Sequence, residues 1–316
     1  MGTVAALTLN HIGDVLFSEP ALRALKAGYP QERLVVVVHP AAKAVLEGNP
    51  AIDELWPRPL GRGEVVKMAR WLRRVKPQVC VSFSPSSTAL ALAAFLSGCP
   101  RRFGFAFRSG VRCFFTSALP FDTTNHLAGD FLALAEAAGG KAEDYQPRVF
   151  LQDAEREWAE KKLRQLDLEN APWLLGVHPS SSVPRKCWPP ERFVHLMRRA
   201  RREWGAVPLV FGSPEERERC ARLAEEGGGL NLAGELSLRQ FMAVMERCGA
   251  FVGGDSGPLH IAAALGVLTL GLYGPTDPRR VGPLGRRVGV VRGETLAQVQ
   301  VPQVWEFLLG MLGRQG

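Results

Sequence analysis

The chain lacks the devices that staple small or metal-dependent folds. It has six cysteines, at positions 80, 99, 113, 187, 220 and 248, and none forms a C-x-x-C pair. That spacing argues against a disulfide framework and against a zinc site. The six histidines are scattered, with no H-E-x-x-H cluster. No G-x-G-x-x-G follows the first apolar segment, where Gly13 stands alone, so a nicotinamide-dependent oxidoreductase is a poor reading. No apolar run is long enough and free enough of charge to span a bilayer. The opening MGTVAALTLNHIGDVLF lacks the basic region and small-residue cleavage site of a secretory leader. It reads instead as a first core strand, and the expectation is a cytoplasmic protein. Short-period repeats and low-complexity segments are also missing.

What is there points to a globular α/β protein. The 316 residues suffice for two domains, and 46% hydrophobic with 22% charged residues is an ordinary soluble balance. A net charge of +8 favours anionic partners, among them nucleotide phosphates, acidic lipids and nucleic acid. A basic nucleic-acid-binding protein is the non-enzyme alternative, but no zinc-finger, RNA-recognition or helix-turn-helix signature supports it.

Strand and helix patterns alternate through both halves. In the first half, strands are expected at 4–9, 34–38, 52–56 and 79–83, with a polar turn at 10–14. Helices are expected at 15–27, 64–75, 88–96 and 127–138. In the second half, strands are expected at 173–177, 207–211, 251–253 and 268–272, and helices at 190–204, 214–226, 238–247, 259–265 and 299–312. A helix at 154–166 is expected to carry the chain between the halves. Such alternation means parallel sheets with right-handed crossovers, hence two doubly wound domains. Ligands in these folds bind beyond the carboxyl ends of the strands, so the turns there are the places to look.

Three of those turns carry chemistry. In TLNHIGD, residues 8–14, Gly13 permits a close approach. Asp14 reads either as a helix N-cap or as a general base. HPSSSVPRKCWP, residues 178–189, combines three hydroxyls with Arg185 and Lys186, which are donors suited to a diphosphate. FVGGDSGPLHIAAALGVLTLGLYGPTDP, residues 251–278, sets Asp255, Ser256, Gly257 and His260 around a helix start, where unpaired N–H groups favour a phosphate. A neighbouring GSPEE, residues 212–216, offers a carboxylate to a ribose or merely favourable acids to a helix start.

Four stretches in this order resemble glycosyltransferase family 9, the lipopolysaccharide heptosyltransferases. They are IGDVLFSEPALRALKAGYP (12–30), HPSSSVPRKCWP, GSPEERE (212–218), and GGDSGPLHIAAALG followed by LYGPTDP. The resemblance implies a GT-B fold, with two Rossmann-like domains facing across a cleft. Residues 1–152 would bind the acceptor and 153–316 the nucleotide-sugar donor, with the terminal helix at 299–312 packing back on the first domain. It further implies Asp14 as catalytic base. Ser180, Ser181, Lys186, Asp255, Ser256, Gly257 and His260 would hold the donor phosphates, Glu216 the ribose, and the backbone at Leu236 the adenine. Ser182 competes with Ser180 for its role, and Asp255 reads better as a support, since a carboxylate beside phosphate oxygens repels them. Thr8 stands where many members of the family carry Arg or Lys, which leaves His11 as the cation of that turn.

The expected reaction is an inverting transfer, from ADP-heptose or another nucleotide sugar, to a hydroxyl of a lipopolysaccharide core or other envelope glycan. Sugar-nucleotide epimerases and hydrolases of the same shape are the near alternative. Metal-dependent sugar transferases use a D-x-D pair, which this sequence lacks, so neither metal nor cofactor is expected. An anionic acceptor is expected to meet Arg101, Arg102, Arg108 and Arg112, which interleave with phenylalanines. With Lys67, Arg70, Arg73, Arg74 and Lys76 they form a basic set suited to the inner membrane surface.

Overall fold

A computed structural model describes residues 2–106, 110–180 and 184–313. It divides into two compact units, residues 1–150 and 151–316, whereas the sequence division fell two residues later. The first unit runs β1 (Thr3–Leu7), α1 (Ile12–Gly28), β2 (Arg33–Val38), β3 (Glu54–Pro57), α2 (Glu64–Val75), β4 (Val79–Ser82), α3 (Thr88–Leu96), β5 (Arg101–Phe105), β6 (Ser117–Leu119) and α4 (Leu127–Ala137). The second runs α5 (Asp153–Gln165), β7 (Leu174–His178), α6 (Pro190–Trp204), β8 (Val207–Val210), α7 (Arg217–Gly227), β9 (Leu230–Asn231), α8 (Leu238–Glu246), β10 (Ala250–Gly254), α9 (Gly257–Ala264), β11 (Leu268–Tyr273), α10 (Pro278–Val281), β12 (Val288–Arg292) and α11 (Val301–Gly313).

Each unit is built on a six-stranded parallel sheet. The orders are β3-β2-β1-β4-β5-β6 and β12-β11-β10-β7-β8-β9. Numbered within its own unit, each reads 3-2-1-4-5-6, so the plan repeats. The direction of winding reverses between β1 and β4 in one sheet and between β7 and β10 in the other. The loops diverge there, and a crevice opens beyond the carboxyl ends. Central strands are buried on both faces, which is why runs such as Leu34–Val38 are continuously apolar.

Several elements depart from the sequence expectation. Helix α1 begins at Ile12, three residues early, so Asp14 sits in its first turn and not in the preceding loop. An acidic residue is favourable there because it faces the positive end of the helix. Strands β5 and β12 escaped notice because arginines and glycines break their apolar pattern (RRFGF and VGVVR). In β5, Phe103 and Phe105 enter the core, and Gly104 lies under Phe115, where a Cβ would run into the ring. The interleaved phenylalanines at 103, 105 and 115 are therefore core residues.

Helix α5, expected as the linker, belongs to the second unit. Its Glu155 accepts from Arg239 of α8 at 2.6 Å, and its Arg156 pairs with Glu246 at 2.9 Å. Terminal helix α11 is likewise held on its own unit, where Trp305 is buried and stacks on Trp204 of α6 at 4.0 Å between ring centroids.

One buried charge fixes α1. Glu19 is wholly buried, and burial raises its carboxyl pKa despite the charge of Arg23. Arg23 and Asn49 each donate to it at 2.9 Å, and the Arg148 N–H donates at 3.0 Å. Arg23 also reaches Asp144 at 2.9 Å. The helix that carries Asp14 is thus tied to the segment that leaves the unit, through a carboxylate whose partners are all satisfied.

Candidate active site

In the second unit, four sequence-predicted residues meet beyond β7 and β10. Register places Gly253 of β10 beside His178 of β7, so the loops after these strands emerge together. Gly254 permits the close approach: a Cβ there would lie 2.9 Å from the Lys186 carbonyl oxygen. Lys186 Nζ donates to Asp255 Oδ2 at 2.6 Å, and His260 Nε2 lies 3.6 Å from Oδ1 of the same carboxylate. Burial alone would raise the Asp255 pKa, but hydrogen bonds from His260 and Lys186 outweigh it and hold the carboxyl below its usual value. Asp255 is therefore a mostly buried anion that fixes two cationic or polar groups at one spot.

Helix α9 starts immediately after. Ser256 is its N-cap residue, yet its hydroxyl makes no capping bond; it donates to the Gly254 carbonyl at 3.1 Å. Pro258, early in α9, brings no N–H of its own. The N-terminal N–H groups of α9 and the Lys186 ammonium therefore lie around one crevice, an arrangement suited to a phosphate.

Glu216 ends a short 3-10 turn, Pro214–Glu216, on the adjacent loop after β8. Its Oε2 accepts from the Ser213 N–H at 2.8 Å, so it does serve the helix start as the plainer reading held. It does more as well. His178 Nε2 faces Oε2 at 3.7 Å, and Arg219 donates to Oε1 at 3.3 Å. The nearby His178 ring is the main reason the Glu216 pKa falls to about 2, with the Ser213 N–H and the Ser180 hydroxyl adding to it against burial. Ser180 is buried and accepts from Arg219. Leu236 is half-buried in the turn between β9 and α8. Ser181 lies outside the described residues, as does Ser182, the rival of Ser180.

In the first unit, Asp14 occupies the third position of α1, directly beyond the β1–β4 reversal. Thr8, where a cation was missed, is buried and donates to the Val37 carbonyl at 3.1 Å. Three basic side chains follow three neighbouring strands at this end of the sheet: His11 after β1, His39 after β2 and Arg58 after β3. The Arg58 N–H donates to the Val38 carbonyl at 2.7 Å. Burial, then the charges of Arg58 and His11, lower the His39 pKa.

The arginines expected at the acceptor are placed differently. Arg101 and Arg102 open β5, at the amino end of the sheet, opposite the end that carries Asp14. Arg102 Nε donates to the Phe114 carbonyl at 2.8 Å, and Arg101 reaches the Tyr29 hydroxyl at 3.3 Å. They brace loops, and the structure does not bring them to Asp14. Arg112 is exposed on a 3-10 turn, and Arg108 lies outside the described residues. The α2 residues Lys67, Arg70, Arg73 and Arg74 are exposed along one helix. Among the described residues no helix is long and apolar enough to cross a membrane, and no group of three His, Cys, Asp or Glu gathers as a metal site.

Sequence reasoning passed over His178 and Arg219. His178 was visible as the polar end of an apolar strand, but only strand register puts it between Glu216 and Ser256. Arg219 carried no motif at all.

The chain is similar to lipopolysaccharide heptosyltransferase 2 of Escherichia coli K12, 28% identical over 304 residues, covering 89% of this chain and 85% of that protein. It is similar in structure to a family 9 glycosyl transferase from Veillonella parvula DSM 2008, with a TM-score of 0.90, 24% identity, and 99% and 97% of the two chains covered. The Escherichia coli ADP-heptose lps heptosyltransferase II follows with a TM-score of 0.83, 25% identity, and coverage of 100% and 99%. The two Rossmann-like units are thus those of a GT-B fold. The model for glycosyltransferase family 9 (heptosyltransferase) matches residues 68–304, from α2 through the second unit, although Asp14 precedes that stretch. With the match spanning most of the chain and the whole Lys186–Asp255–α9 crevice, this protein belongs to glycosyltransferase family 9 and is a glycosyltransferase enzyme.

Proposed function

We propose that this enzyme transfers a heptose from ADP-heptose to a hydroxyl of a lipopolysaccharide-core acceptor, by an inverting single displacement that needs no metal ion. The observation that carries the donor half is the crevice beyond β7 and β10, where Lys186, held by Asp255, stands beside the start of α9. As the bond from the sugar to the nucleoside diphosphate breaks, negative charge grows on the leaving phosphate. Lys186 and the α9 N–H groups are fixed in advance for that charge, which is electrostatic preorganisation. Glu216 accepts from the ribose hydroxyls, in the position that its Oε1 and Arg219 define. Asp255 acts as a support.

In the acceptor half, Asp14 takes the proton from the attacking hydroxyl. Arg58 is a cation available to an anionic acceptor at that end of the sheet, and the imidazoles of His11 and His39 follow the neighbouring strands. Arg58 stands in for the charge that Thr8 does not supply.

Nucleotide choice tests the proposal in a thermal-shift series with ADP, UDP and GDP. At a hundred times its Kd a ligand stabilises the folded state by about 2.7 kcal/mol, a shift on the order of 5–11 °C for a unit of this size. ADP is expected to give that shift and UDP and GDP a smaller one. An equal shift for all three contradicts the assignment of an adenine donor.

A further inference from the structure

His178 stands between the two loops that the donor site depends on. It closes β7 at the reversal of the sheet, is 7% exposed, and belongs to neither loop. Its Nε2 faces Glu216 Oε2 at 3.7 Å, while its Nδ1 lies 3.4 Å from Ser256 Oγ. Glu216 follows β8, and Ser256 follows β10 on the other side of β7. The ring is fixed from below as well, because its backbone pairs with Gly253 in the sheet.

From this geometry we infer that His178 is a positioning residue, which sets the distance between the ribose-binding carboxylate and the diphosphate-binding turn so that one nucleoside diphosphate engages both. The inference rests on the donor reading above and deepens it. Glu216 has two oxygens with different duties. Oε2 is turned towards the Ser213 N–H and His178, whereas Oε1 is turned towards Arg219. Fixing Oε2 leaves Oε1 aimed in one direction, where an incoming hydroxyl finds it. On the other side of the ring, the Ser256 hydroxyl is shared between His178 and the Gly254 carbonyl, which keeps it from folding over the start of α9. A ligand that bridges ribose and diphosphate gains from both constraints, and one that reaches a single loop gains from one.

The test is a double-mutant cycle on ADP binding, read by calorimetry, with donor and acceptor KM measured alongside. His178→Ala is expected to weaken ADP about tenfold and to raise the donor KM in step, with acceptor KM and kcat little changed; residues that act through one another couple on this scale. In a Glu216→Gln background the same substitution is expected to cost less than about threefold. Inorganic pyrophosphate, which cannot reach Glu216, is expected to lose less affinity than ADP. His178→Gln, which keeps a polar side chain in the buried position, guards against misfolding of the alanine variant and is expected to recover part of the ADP affinity. An undiminished His178→Ala effect in the Glu216→Gln background, or a fall in kcat at constant donor KM, overturns the positioning role. Wild-type protein that ignores ADP overturns the donor reading itself, a different outcome from wild-type protein that binds ADP as tightly as both His178 variants do.

Discussion

Asp14→Asn is expected to lower kcat by about 10²–10⁴-fold, the range that general-base catalysis supplies. That corresponds to about 3–5 kcal/mol on the barrier. The amide is nearly the same size as the carboxylate and is tolerated in the first turn of a helix, so α1 stays in place. Glu19, Arg23 and Asn49 hold the helix from the buried side. What the amide cannot do is accept a proton from the attacking hydroxyl. ADP affinity is expected to stay within about twofold, since the groups proposed to bind ADP all belong to the second unit. Steady-state kinetics with calorimetry on the same preparation separates the two. A variant with near-normal kcat removes Asp14 as the base.

Lys186→Met is expected to act on binding and rate together. A hydrogen bond to a charged group is worth about 1.5–3 kcal/mol, so ADP affinity should fall by roughly 10- to 150-fold. The variant also strands Asp255, whose side chain is only 11% exposed, with His260 as its remaining neighbour of the two. Removing one partner of a buried pair destabilises strongly because the other charge remains. Two explanations for weaker binding then compete: a missing cation, or a stray carboxylate that repels the phosphates. The double variant Lys186→Met/Asp255→Asn decides between them. It is expected to recover the lost thermal stability but not the ADP affinity. Recovery of affinity in the double variant, or unchanged affinity in Lys186→Met alone, contradicts a direct phosphate role for Lys186.

The parts of the fold that were legible in the sequence are those governed by local rules. Leu34–Val38 reads as a doubly covered strand because both its faces are buried, and Pro258 marks the start of α9 because a helix tolerates proline there. Charge alone made Asp255 read as a support, and the structure sets it against Lys186 and His260. What was illegible depends on partners far away in the chain. Arg101 and Arg102 look like a surface patch until their partners, the Tyr29 hydroxyl and the Phe114 carbonyl, are known. Strand β5 hides behind those same arginines. Helix α5 reads as a linker until Arg239 and Glu246 are seen to hold it. His178 needs the register of β7 against β10, elements more than seventy residues apart, before its two contacts exist.

The central claim is sugar transfer from ADP-heptose, and the most direct measurement is product formation with that donor and a core-oligosaccharide acceptor, in buffer with excess EDTA. Mass spectrometry is expected to show one heptose added to the acceptor, with inverted configuration at the new anomeric centre by NMR, at a rate that added magnesium does not raise. Release of free heptose with no modified acceptor, or transfer that stops in EDTA and returns with magnesium, contradicts it.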